Sequence, residues 1–339
     1  MRSIDLFAGI GGMRLAAEEI GLQNVFSSEI STSAINIYRD NFNESPSGDI
    51  RGIDAKTIPD HDVLMAGFPC QPFSSSGGRK GFLDTRGTLF FEICRVVEEK
   101  KPKAILLENV KGLLHNDQGR TFRVILDSLE NLGYSTSYGI LNARDFGLPQ
   151  NRERVFIVGL RGDKNYIDLT APIPNFYPRL RDFVDSGHNE PYLDKSEYTL
   201  IPSSRRIEQP SGLIFAGYRN KSLRKKGALP NSEHLSRVHR QPNRIYSVDG
   251  VSPTLASQES NGRYFILDQT GVRKLSTREL YRIMGFPQYF KLNETDSALR
   301  VAIGNSVAIP VAKEVLSRIQ FALQSSQNLK QPLEVRRKW

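Results

Sequence analysis

Two cysteines in 339 residues, Cys70 and Cys94, allow at most one disulfide and supply no cysteine pair at zinc-finger spacing. A disulfide scaffold is excluded on that count, and a reducing, cytoplasmic setting is expected. No apolar run approaches the roughly 20 residues needed to cross a bilayer. The start, MRSIDLFAGIGG, lacks the basic, apolar and small-residue succession of an export signal and runs straight into a strand and glycine turn. Neither membrane association nor secretion is expected, nor a further domain ahead of the first strand. No internal repeat is present, which excludes solenoids and propellers. Acids are also in short supply: 37 Asp and Glu face 46 Lys and Arg, for a formal net charge of +9.

What the chain does have is length and concentrated basic charge. At 339 residues it can bury a large α/β core and carry a smaller second module without covalent staples. Between Leu200 and Tyr264 stand eleven Lys and Arg against four acids, interleaved with Tyr218, His234, His239, Tyr246 and Tyr264. That mixture fits a nucleic-acid surface better than an evenly solvated face.

The first 160 residues alternate short apolar runs with helical periods. SIDLFA, NVFSSE, DVLMAGF and KAILLENV read as buried strands, and helices are expected over 11–20, 31–42, 89–99 and 120–132. YSTSYGILNA and RVFIVGL add two strands. Such alternation predicts a doubly wound sheet with ligands at the carboxyl ends of its strands. From about Asp163 the pattern breaks into Pro-, Ser- and Arg-rich pieces, a β-leaning module, before helices return at STRELYRIMGF and SVAIPVAKEVLSRIQFAL. The tail KQPLEVRRKW is expected to fray.

Four short stretches carry chemistry. In GFPCQPFSSSGG, Pro69 and Pro72 stiffen the backbone around Cys70, and the residues from Gln71 to Gly87 have the Ser and Gly content of a mobile surface loop. In DLFAGIGG, Gly9, Gly11 and Gly12 let the backbone approach a ligand at a helix amino terminus, although Arg14 stands where a dinucleotide fingerprint needs its third glycine. Glu29 ends the next strand, twenty residues on, where a carboxylate can accept ribose hydroxyls; Asp49 in GDI could accept from an amino group. These three also read as ordinary strand-end residues. LLENV sets Glu108 at the same sheet edge as Cys70, and QNRERVF places Arg152 and Arg154 two apart, on one face of a strand or equally on an exposed edge.

In order along the chain, DLFAGIGG, Glu29, GDI, GFPCQPFS, DTRGTLFFEI, ENVKG, QNRERVF, RKLSTRELYRIMGFP and IGNSVAIPV resemble the bacterial DNA (cytosine-5)-methyltransferases of restriction–modification systems. The resemblance implies an α/β, Rossmann-like methyltransferase fold, a mixed sheet with helices on both faces, plus a small irregular β-rich target-recognition domain. It implies S-adenosylmethionine as cofactor, duplex DNA as partner and no metal. By this likeness Cys70 is the nucleophile, Glu108 contacts the base, and Arg154 with Arg152 serves its O2 and the thiolate. Phe7, Gly9, Ile10, Gly11, Glu29, Ile30, Asp49, Ile50, Pro69, Leu89, Asn305 and Val307 fall on the family's cofactor pocket. Ser74 and Ser76 fall in the loop over the everted base. QPNRIYSVDGVSPTL resembles a DNA-contacting element of some relatives in which Gln241 fills the vacated gap, Arg244 reads guanine, Tyr246 adjoins them and Thr254 holds backbone near the flipped base; Gln241 and Arg244 read equally as ordinary turn and strand residues.

The expected division is 1–186 with 304–339 for catalysis and cofactor, 187–274 for target recognition and 275–303 as a hinge. A short site, a monomer and a cognate endonuclease complete the expectation. A transfer-RNA cytosine-5 methyltransferase, a nucleotide-dependent oxidoreductase and a catalytically dead DNA-binding module are the rival readings.

Overall fold

Runs of aliphatic residues become strands where both faces can be covered. The computed structural model describes residues 1–69, 89–162, 166–185, 187–220, 232–256 and 263–328. In it, β1 (Arg2–Leu6), β2 (Gln23–Ser28), β3 (Val63–Gly67), β4 (Ala104–Val110), β5 (Tyr134–Asn142) and β7 (Glu153–Arg161) build one sheet, with a two-residue β6 (Gln150–Asn151) just before β7 in the chain. The sheet order is β2-β1-β3-β4-β7-β5. β1 to β4 are parallel, and β7 runs antiparallel to both its neighbours.

The pleat divides the core. Val63 and Met65 of β3 point to one apolar cluster, whereas Leu64 and Ala66 point to the other. α1 (Gly12–Glu18) and α2 (Thr32–Phe42) cover the first face with Met13 and Ile37; α3 (Leu89–Lys100) and α4 (Arg120–Asn131) cover the second with Ile93, Val97 and Ile125. α3 buries Phe90, Ile93, Cys94, Val96 and Val97, the spacing of one helical stripe. Cys94 is thus a core residue whose thiol burial pushes up to about 12.

The chain turns one way from β1 to β2 and the other way to reach β3, so the switch point lies between the carboxyl ends of β1 and β3. Open α/β sheets bind their ligands there. Gly11, in the left-handed region at φ 85°, starts α1; a side chain on it would meet the Phe42 ring at 2.3 Å. The close approach of α1 to α2 therefore requires glycine at that position.

A second sheet follows, from β8 (Tyr198–Leu200), β9 (Phe215–Arg219), β10 (Arg244–Ser247), β12 (Phe265–Leu267) and β13 (Val272–Lys274), in the order β13-β12-β10-β9-β8. Its own cluster is small, with Ala216, Ile245, Phe265 and Val272 fully or nearly fully buried. β11 (Ser252–Pro253) leaves this sheet and pairs in parallel with β6. Val248, Leu255, Tyr264 and Ile266 join the large cluster, so the second sheet shares its core with the first.

The segment expected as a hinge holds α5 (Thr277–Arg282) and α6 (Asp296–Asn305), followed by α7 (Ile309–Asn328). Leu280, Tyr281, Ile283, Met284 and Phe286 are buried in the large cluster. Arg273 of β13 pairs with Glu279 of α5 at 2.9 Å, both completely or almost completely buried, and Glu279 also accepts the Ser276 and Asp185 amides. Arg300 and Lys274 share Glu190. α6 has no counterpart among the sequence expectations because its buried face is only Leu299, Arg300, Ile303 and Gly304, too short and polar a stripe to stand out.

Candidate active site and nucleic-acid cleft

A crevice of about 660 Å³ opens at the switch point. Phe7, Gly9, Ile10, Glu29, Ile30, Asp49, Ile50, Pro69, Leu89 and Asn305 line it, together with Glu108, Arg152 and Arg154. Of the predicted cofactor residues, Gly11 and Val307 are not on its wall. Gly11 faces the Phe42 ring, and Val307 is buried against Gly12, so both shape the turn from behind. Cys70, Ser74 and Ser76 lie outside the described residues.

Backbone strain and backbone hydrogen bonds set the adenosine end. Phe7 has φ 57°, a left-handed conformation costing about 1–3 kcal/mol outside glycine and typical of functional turns. One oxygen of Glu29 accepts the Gly9 N–H and the other accepts the Ile30 and Ser31 N–H groups, each at 2.8 Å. About one of its four acceptor sites remains for a ligand. Ile30, an apolar residue on the crevice wall, is 67% exposed. Asp49 lies on the wall but is not free as expected: its carboxylate accepts Arg51 Nη2 at 2.5 Å, which holds it below the usual carboxylate range.

The chemistry end is built across β4 and β7. Glu108 is opposite Gly67 of β3 and Phe156 of β7, and Arg154 is opposite Val110. Glu108 and Arg154 are therefore diagonal neighbours on one face. Glu108 Oε1 stands 3.2 Å from Arg154 Nε, an ion pair without hydrogen-bond alignment, with both side chains largely buried. Burial pushes the Glu108 carboxyl up, against the pull of Arg154 and Arg152. Burial also lowers Arg154.

Arg152 and Arg154 both reach the crevice wall, but Arg152 does so from a break in the strand and with its guanidinium taken up by backbone. β6 pairs with β11 instead of continuing into β7, so the strand is interrupted at Arg152. Its guanidinium donates to the carbonyls of Leu255, Gly304 and Ser306 at 2.9, 3.2 and 2.5 Å. Two further polar residues escaped sequence reasoning. Asn109 donates to the Phe68 carbonyl at 2.8 Å, anchoring the chain two residues before Cys70; its place beside Glu108 was the available signal. Asp5 lies beneath the first turn of α1, near the Arg14 amide without a well-formed hydrogen bond, and burial pushes it up to about 8.

A second, larger cleft of about 1010 Å³ lies on the second sheet, lined by Gln241, Arg244, Tyr246 and Thr254 with Arg219, His239, Arg240 and Arg263. Gln241 Oε1 accepts from Arg244 Nη1 at 3.2 Å and from the Tyr246 hydroxyl at 3.3 Å. Thr254 donates to the Asn151 carbonyl at 2.6 Å, immediately before Arg152. His239 stacks on Tyr218 at 4.2 Å. Lys221, Arg224, Lys225 and Lys226 lie outside the described residues.

The model of the C-5 cytosine-specific DNA methylases matches residues 1–321. The chain belongs to that family. It is 42% identical to the type II methyltransferase M.NgoBI of Neisseria gonorrhoeae over 314 residues, covering 91% of this chain and 90% of that one. It is 39% identical to the type II methyltransferase M.HhaI of Haemophilus parahaemolyticus over 340 residues, covering 97% and 96%. The crystal structure of the S. pombe Dnmt2 methyltransferase superposes with a TM-score of 0.66 at 22% identity, over 95% of this chain and 99% of that one, which bears out the methyltransferase fold. As a DNA cytosine-C5 methyltransferase the chain belongs to an S-adenosylmethionine-dependent family, and its substrate is DNA. No helix among the described residues is long and apolar enough to cross a membrane.

Proposed function

We propose that this methylase modifies C5 of a cytosine turned out of a short, specific duplex site, protecting host DNA in a restriction–modification system, with Cys70 as its nucleophile. A base inside the stack cannot present C6 to a thiol, hence the eversion. C5 of cytosine is a weak nucleophile until the Cys70 thiolate adds to C6 and makes the ring enamine-like. Glu108 and Arg154 carry this reading: the pair sits 3.2 Å apart on the crevice that Pro69, next to Cys70, also lines. A carboxyl held upward by burial can keep or share a proton at N3 and the exocyclic amine, while Arg154 steadies O2 as charge develops. Loss of the C5 proton then expels the Cys70 thiolate and restores the ring.

The crevice fits the cofactor in its donor set. Apolar Phe7, Ile30 and Ile50 suit a purine, and the acceptor site left on Glu29 suits a ribose hydroxyl; a Cβ on Gly9 would meet no atom within 4 Å, which leaves room above the loop. When bound, S-adenosylmethionine supplies an electrophilic methyl group. Gly11 and Val307 act on the pocket only through the turn they shape. On the same reading, 1–186 with 304–339 form the catalytic and cofactor unit, 187–274 recognise the target and 275–303 join them; the enzyme works as a cytoplasmic monomer with a cognate endonuclease as functional partner.

Bisulfite sequencing of DNA from cells expressing the protein should reveal one short motif with a methylated cytosine, and none with Cys70→Ala. Duplex carrying 5-fluorocytosine at that motif should trap the wild type covalently. Methylation by Cys70→Ala, or no trapping, would overturn the reading; label transferred to transfer RNA instead of duplex would move it to the rival substrate.

A further inference from the structure

We propose that Arg152 is a positioning residue that couples cofactor binding in the crevice to DNA binding in the second cleft; this rests on the two-site reading above. Arg152 is 3% exposed, and the three hydrogen bonds of its guanidinium among the described residues go to backbone carbonyls, two of them from one wall and one from the other. Gly304 and Ser306 flank Asn305, which lines the crevice. Leu255 stands between Thr254 and Ala256, which line the cleft. These segments are far apart in sequence and meet at one planar group.

Neighbouring bonds stiffen the junction on both sides. Gln150, fully buried, accepts the Leu255 N–H at 3.3 Å and donates to the Ile283 carbonyl at 3.2 Å. Thr254 is tied to Asn151, and β6 pairs with β11. Because the guanidinium fork is rigid and its donors are fixed in one plane, a shift of the Gly304 and Ser306 carbonyls reorients the donor serving Leu255. A ligand pressing on Asn305 therefore moves or steadies the cleft wall, and DNA on that wall must act back on the cofactor by the same factor. Lysine, with one compact ammonium, cannot span all three carbonyls.

The test measures DNA affinity with and without S-adenosylhomocysteine, a non-reactive probe of the crevice, on duplex bearing the motif found by bisulfite sequencing. In the wild type the probe should tighten DNA binding about tenfold, within the usual range of site-to-site coupling. In Arg152→Met the ratio, read at saturating probe, should fall to within about twofold of one. Hydrogen exchange at the Leu255 and Ala256 amides gives a readout free of turnover: the probe should slow it in the wild type and leave it unchanged in the variant. If Arg152→Met does not fold, Arg152→Lys takes its place with the same expected loss of coupling. A folded variant of either kind that keeps the wild-type ratio overturns the proposal, as does a wild type with no coupling. Failure of the wild type to bind probe or DNA at all would overturn the two-site reading and this proposal with it.

Discussion

The crevice and the cleft hold their side chains in different ways. In the crevice the determining contacts run from side chain to backbone: Glu29 takes three amides, and Asn109 holds the Phe68 carbonyl. In the cleft side chains also hold one another, with Gln241 shared by Arg244 and Tyr246. Strand ends dictate the first arrangement, so it changes only if the sheet does. Short strands and turns carry the second, so its side chains can be exchanged without disturbing the sheet. Chemistry is thereby separated from sequence reading, and substitutions should respect the divide.

Glu108→Gln should break the chemistry hardest. It keeps the shape and removes the titratable carboxyl, so turnover should fall roughly 10²–10⁴-fold while DNA and S-adenosylhomocysteine bind nearly as before, as single-turnover rates and titrations can check. Arg154→Ala should lower turnover about 10²–10³-fold, more than it weakens cofactor binding. If cofactor affinity alone suffers, Arg154 belongs to the wrong end of the crevice. Glu29→Ala should weaken S-adenosylhomocysteine binding by about 10–100-fold, the worth of a charge-assisted hydrogen bond, and leave the methylated motif unchanged in bisulfite sequencing.

On the cleft side, Arg244→Ala should relax discrimination at one position of the motif by about 1–3 kcal/mol without altering cofactor affinity. A change of cofactor affinity of the same size would erase the divide. Asp5→Asn should have the least effect on turnover. A buried carboxyl raised to about 8 binds its proton more tightly folded than unfolded, so its stabilising contribution is complete at acid pH and is lost as pH climbs from the ordinary carboxylate range towards 8. The melting temperature of the wild type should fall across that window, and that of Asp5→Asn should fall less.

The sheet was legible because its strands are buried on both faces and read as continuous apolar runs, LLEN and VLMAG among them. Glu29, Glu108 and Pro69 were legible for the same reason: they end such runs, and strand ends share one edge. Arg152 was harder. Nothing in QNRERVF announces that Gln150 and Asn151 pair with Ser252 and Pro253, a contact across about a hundred residues, or that Arg152 is thereby turned onto three carbonyls. Asp49 was read as a free acceptor, yet the arginine two residues on folds back over it. The Arg273–Glu279 pair, which fastens the second sheet to α5, joins positions that look like unrelated surface charges in sequence.

The crevice wall includes Phe7 and Asn305, and α7 packs across α1. Nearly the whole chain must leave the ribosome before either wall has its opposite, so a nascent or prematurely ended polypeptide has no complete pocket in which to hold a nucleoside. Assembly of the crevice is in this sense all or nothing.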